Sequence, residues 1–247
     1  MDARRTFIQY TKARVNREKK LSVANWSGPL VVATVHSPPG LRLAGRLGRR
    51  DVDLVEVRVD ALAGKMAGVR NFLATSKLPV LLTVRHPAEG GIGDLSTEHR
   101  RKFFEEFLPC AALVDVELRS TVVMRDVIAA AKDRGIGVVV SDHHFHRTPT
   151  LAQMRERRKR AFAAGADIFK LACLADTAGS VARLMEFLSV DQGHPLAVMG
   201  MGKLGQVSRL VLACAGSILN YGYLDKPNAP GQWEARELKG LLRRLGR

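Results

Sequence analysis

Short apolar runs, rich in β-branched residues, recur along the chain at near-regular intervals. They are LVVATV at 30–35, DLVEVRV at 53–59, PVLLTV at 79–84 and ALVDVEL at 112–118. IGVVVS at 136–141, DIFKLA at 167–172, PLAVMG at 195–200 and GSILNYGY at 216–223 follow. Most gaps between them carry helical patterning, as in EHRRKFFEEFLPCA, TVVMRDVIAAAKDRG, TLAQMRERRKRAFAAGA and TAGSVARLMEFLSV. Near-continuous apolar runs fit strands buried on both faces. Alternation of strands with helices predicts parallel pairing. Eight such units predict a single (β/α)8 barrel, for which ~250 residues is the usual size. An open doubly wound sheet is the alternative, but HSPPG after the first strand is not a glycine-rich dinucleotide loop. Thr148-Pro149 reads as an N-cap followed by Pro at the first helical position.

Residues 1–28 are polar and basic and read as an extension before a barrel domain at 29–247. The net charge is +15, with further basic runs in RERRKR at 155–160 and LLRRLGR at the end. No aromatic residues interleave with the latter two runs. A solvated basic surface that attracts anionic small molecules is therefore favoured over nucleic-acid contact. Three widely spaced cysteines, Cys110, Cys173 and Cys214, exclude a disulfide framework or zinc ribbon and suggest a reducing compartment. With no signal-peptide pattern and no spanning apolar run, a cytoplasmic protein without membrane contact is expected.

In a barrel of this kind the chemistry sits at the C-terminal strand ends, and here those ends are polar. Glu56, Arg58 and Asp60 alternate along the second strand, so they should share one side. Arg85 ends the third strand, with Glu89 in HPAEGG beyond it. Asp115 and Glu117 lie two apart on the fourth, and His143 and His144 follow the fifth. Arg209 comes after the seventh, and Asn228 and Gln232 (NAPGQ) after the eighth.

Lys170 lies inside an otherwise apolar strand. Desolvation disfavours its charged form, and a neutral amine can form an imine with a ketone. A bland alternative pairs it with Asp115 or Glu117, and the two are compatible. The histidines admit a metal site or acid–base chemistry. Zinc needs convergent ligands, whereas His143 and His144 should face opposite sides of one strand. Acid–base chemistry by one inward histidine fits better, with His144 outward and His146 on the surface.

The ordered set EVRVD, TVR…EGG, VDVEL, SDHHF…TP, DIFKLA, MGKLGQVSR and APGQ resembles the type I 3-dehydroquinate dehydratases, from about Leu30 to Gln232. The resemblance implies a barrel that needs no metal or cofactor, usually a homodimer. It also implies conversion of 3-dehydroquinate to 3-dehydroshikimate in the shikimate pathway. By the same resemblance Lys170 forms the imine, His143 moves the protons and Glu89 orients His143. Arg209 binds the substrate carboxylate beside Gln232. Glu56, Arg58 and Arg85 hold ring hydroxyls, and Asp115 and Glu117 stand near the lysine. Asn228 replaces the serine that the family often has in the lid loop. Two other readings remain open: an imine-forming lyase of the aldolase kind, and a non-catalytic binding module.

Overall fold

The computed structural model describes residues 28–190 and 193–246. The expected basic extension lies outside these residues, apart from Gly28. The chain runs β1 (Leu30–Val35), α1 (Pro38–Ala44), β2 (Leu54–Arg58), α2 (Met66–Thr75), β3 (Val80–Thr83) and α3 (Thr97–Phe107). It continues with β4 (Leu113–Glu117), α4 (Arg125–Asp133), β5 (Gly137–His144), α5 (Leu151–Ala163), β6 (Ile168–Leu174) and α6 (Ala178–Ser189). It ends with β7 (Leu196–Met201), α7 (Gly205–Cys214), β8 (Leu219–Tyr223), β9 (Trp233–Glu234) and α8 (Ala235–Arg244).

Every ladder is parallel, and the strand order is β7-β6-β5-β4-β3-β2-β1-β8-β9. Sequence neighbours are sheet neighbours throughout, which is barrel order and not a doubly wound order. The barrel closes between β7 and the approach to β8, where Ile218 N donates to Leu196 O at 2.9 Å and Val198 N donates to the Ser217 hydroxyl at 2.9 Å. The eight expected strands are all present, with edges shifted by a few residues. The fifth runs on through both histidines, because His143 and His144 pair with Ala172 and Cys173 of β6. β9 is an addition: two residues that ladder onto β8.

Period two sorts the strand residues into two cores. Outward ones such as Val55, Val57, Val114, Val116 and Val140 meet the helices through Phe104, Phe107, Leu184, Phe187 and Leu238. Burying each such side chain contributes about 1.5–3 kcal/mol. Inward ones fill the barrel: Val32, Leu54, Leu81, Leu113, Val139, Ile168 and Leu219. Continuing each inward row by two or four residues reaches Glu56, Arg85, Asp115, His143 and Lys170. The apolar layer is thus a floor beneath a polar layer.

One cap differs from expectation. The N-cap of α5 is Thr150, not Thr148, and it forms a reciprocal capping box with Gln153. The Thr148 hydroxyl is instead bound to the carbonyl of Leu174 at 2.5 Å, so it cannot serve the helix.

Candidate active site

A cleft of about 550 Å³, counted to its open mouth, lies at the C-terminal ends of the strands. Glu56, Arg58, Arg85, Glu89, His143, Lys170, Arg209, Asn228 and Gln232 all line it. Nine residues from six separate segments of the sequence are thus brought together by one barrel end.

Lys170 is inward on β6 and 4% exposed. Its Nζ is 3.0 Å from Asp115 Oδ2, and it sits over the ring of Tyr221, 4.1 Å from the centroid. Asp115 also takes both terminal nitrogens of Arg85, at 2.9 and 2.8 Å, and the Ser141 hydroxyl at 2.6 Å. Burial alone would raise the Asp115 carboxyl, but Arg85 and Lys170 hold it well below the usual carboxylate range.

Glu117 accepts from Arg85 Nη1 at 3.2 Å, from the His86 amide at 2.8 Å and from Arg100 Nη2 at 2.5 Å. Asp115 and Glu117, expected near the substrate, do not line the cleft. Both are fully buried behind Arg85 and Lys170, because their short side chains end inside the strand layer that the longer cations reach beyond.

His143 Nδ1 is 2.8 Å from Glu89 Oε2, which leaves Nε2 for the cleft. Burial first, then the cations Arg85 and Lys170, hold the imidazole well below its ordinary value of 6.5. It is therefore a neutral base at neutral pH. Burial also pushes the Glu89 carboxyl up to about 8, with Glu117 and Asp142 adding to it against Arg85.

Glu89 closes a one-turn 3-10 helix, Pro87–Glu89. The two glycines after it are required. Gly90 has φ 83°, and a Cβ on Gly91 would lie 2.4 Å from the Arg85 carbonyl. Arg58 Nη2 donates to the Gly90 carbonyl at 2.9 Å, so β2 also holds this turn. Asp60, expected on the same face as Glu56 and Arg58, lies past the end of β2. It binds the Arg58 guanidinium at 2.9 and 2.7 Å and stays out of the cleft. Glu56 accepts from the Thr83 hydroxyl at 2.9 Å.

Arg209 comes from α7 and is buried. Its Nη1 donates to the Tyr221 carbonyl at 3.1 Å, and its Nε has no partner among the described residues. Burial alone lowers it to about 10, and no carboxylate faces it among the described residues. A guanidinium edge of this kind suits a carboxylate. Above it, Gln232 Oε1 accepts from the Asn228 amide at 3.0 Å, which folds the loop onto itself. Gly231, at φ 72°, would place a Cβ 2.6 Å from Gly205 Cα, so the loop rests directly on the start of α7.

His144 faces away from the cleft, with Nε2 2.8 Å from Asp142 and Arg157 of α5 on the same carboxylate. His146 is exposed. Cys173 is buried on the outer side of β6, and burial raises its thiol, which keeps it inert. Among the described residues no group of three or more His, Cys, Asp or Glu could hold a metal ion.

Several residues escaped the sequence reading. Thr34, Met199, Met201 and Tyr221 line the cleft, and period two along β1, β7 and β8 could have found them. Arg100 shares the buried face of α3 with Phe104 and Phe107. An arginine in register with two core phenylalanines was the available signal.

The model of one family, type I 3-dehydroquinase, matches residues 30–247. A 3-dehydroquinate dehydratase of Methanocella arvoryzae is 36% identical over 219 residues, 88% of this chain and 97% of that protein. A type I 3-dehydroquinate dehydratase of Clostridium difficile, solved with covalently modified comenic acid, superposes with TM-score 0.79 at 26% identity. The match covers 89% of this chain and 93% of that one. The 3-dehydroquinate dehydratase of Aquifex aeolicus gives TM-score 0.72 at 28% identity, over 88% and 99%. The barrel order, the buried lysine and matches across nearly the whole chain agree: the chain belongs to the type I 3-dehydroquinase family, hydro-lyases that take water from 3-dehydroquinate through an imine on a lysine.

Proposed function

We propose that Lys170, His143 and Glu89 carry this reaction, and that Arg209, Gln232, Asn228, Glu56, Arg58 and Arg85 hold the substrate. One observation supports it above all. A buried lysine, a neutral histidine and an arginine with no carboxylate partner among the described residues open on the same cleft.

Lys170 Nζ adds to the ketone carbon, water leaves, and an iminium forms. The iminium withdraws electrons from the adjacent carbon, and His143 Nε2 takes its proton. The freed pair forms an enamine. The enamine then expels the hydroxyl one carbon further on, which takes the proton back from the imidazolium and departs as water. A second water hydrolyses the conjugated iminium, freeing 3-dehydroshikimate and Lys170. Such proton transfer contributes about 10²–10⁴-fold. Arg209 and the hydroxyl-binding residues supply orientation. Asp115 and Glu117 act from behind the cleft by fixing Arg85 and Lys170.

A role in the shikimate pathway, assembly as a homodimer and a cytoplasmic location belong to the same proposal. Val207 and Val211, exposed on α7, offer an apolar surface to a second copy. Three free cysteines fit a reducing compartment. Sedimentation equilibrium tests the dimer, and cell fractionation the location.

Borohydride trapping tests the chemistry. Reduction in the presence of 3-dehydroquinate should leave a ligand-sized adduct on Lys170 of the wild type and none in Lys170→Ala. A folded wild type without an adduct would remove the imine role, and a non-catalytic binding module would replace it.

A further inference from the structure

Tyr221 lies inward on β8, 4% exposed. Its hydroxyl is buried and has no hydrogen-bond partner among the described residues. Buried polar groups are paired in the great majority of cases, and leaving one unpaired is costly. Phenylalanine would fill the same space without that cost. Two more residues that line the same cleft carry a buried polar atom without a partner among the described residues, Thr34 at Oγ1 and Arg209 at Nε. Three such residues around one cleft point to a ligand that satisfies them together.

The placement of Tyr221 narrows what its partner is. The ring face lies against Lys170 Nζ, 4.1 Å from the centroid. A substrate bonded to that nitrogen must therefore pass alongside the ring, with its oxygens within reach of the hydroxyl. Burial, then the carboxylates Glu56 and Asp115, raise the phenol well above its ordinary value, so it stays protonated and donates. Its partner is an acceptor oxygen.

We infer that the Tyr221 hydroxyl is a substrate-binding group of this site, donating a hydrogen bond to an oxygen of the polyhydroxy acid held on Lys170. This rests on the imine reading above. It separates the two parts of the side chain: the ring supports the cationic nitrogen, and the hydroxyl grips the substrate.

Tyr221→Phe tests it, since the ring over Nζ is retained and only the oxygen is lost. KM for 3-dehydroquinate should rise about 2- to 10-fold, the weight of one neutral hydrogen bond, with a smaller change in kcat. The free protein should melt at the same temperature or higher, because an orphan has been removed. The rise in melting temperature on adding 3-dehydroshikimate should be smaller than in the wild type. Borohydride adducts on Lys170 in both proteins would assign the KM change to the hydroxyl. Adducts in both with KM and the ligand-induced melting shift unchanged would overturn the hydroxyl's role alone. No adduct in the folded wild type would overturn that role and the imine reading together.

Discussion

Lys170 Nζ lies 3.0 Å from Asp115 Oδ2, the same oxygen that takes Arg85 Nη2 at 2.8 Å. One carboxylate thus fixes both the amine proposed to form the imine and the cation beside it. The chain of charges continues through Glu117 to Arg100 on α3, so the site is braced against the outer helix layer.

Asp115→Ala should leave Arg85 and Lys170 buried with too little negative charge between them. Breaking a buried pair from one side costs about 3–5 kcal/mol. Urea unfolding should show that loss as a lower midpoint, and borohydride trapping should show a weaker adduct on Lys170.

His143→Ala should lower kcat by about 10²–10⁴-fold. Lys170 is untouched in this variant, so the adduct should persist. Turnover and trapping measured on one sample would separate proton transfer from imine formation.

The Glu89–His143 pair predicts a signature in stability against pH. Glu89 is raised from 4.5 to about 8, so between these values the folded state holds a proton that the unfolded state has released. Stability from Glu89 therefore falls as pH rises through that window. His143 is lowered below 6.5, so the unfolded state binds the extra proton there, and its contribution rises with pH up to 6.5. The two oppose below pH 6.5, and from 6.5 to about 8 only the Glu89 loss remains. Urea midpoints at pH 6.5 and 8 should decline for the wild type and level out for Glu89→Gln.

Arg209→Lys keeps the charge and loses the planar edge. Hydrogen bonds to charged groups are worth about 1.5–3 kcal/mol, so kcat/KM should fall ~10- to 150-fold. Steady-state kinetics with the full substrate would check it.

Much of this site was legible because period two and strand-end placement are local properties. Glu56, Arg58, Arg85, His143 and Lys170 each follow an apolar strand whose phase assigns them inward. Pairing across the fold was not legible. The sequence places Arg100 on an apolar helix stripe but cannot say that Glu117 meets it. The expected cap, Thr148 before Pro149, gives way to Thr150. The choice is made by Leu174, whose carbonyl binds Thr148 from 26 residues away. Asp115 and Glu117 were placed on the correct face but one layer too far out, because side-chain length against strand height decides what reaches the cleft.

The barrel's seam gives Arg209 a second significance. β7 and β8 meet through Leu196–Ile218 and Val198–Ser217 near the floor, while at the rim Arg209, carried by the helix after β7, holds the carbonyl of Tyr221 on β8. The guanidinium proposed to grip the substrate is therefore also a clasp across the joint. A ligand that pins Arg209 draws the clasp shut, so occupancy of the cleft should be felt as slower amide exchange at Val198 and Ile218, whose hydrogen bonds close the joint below it.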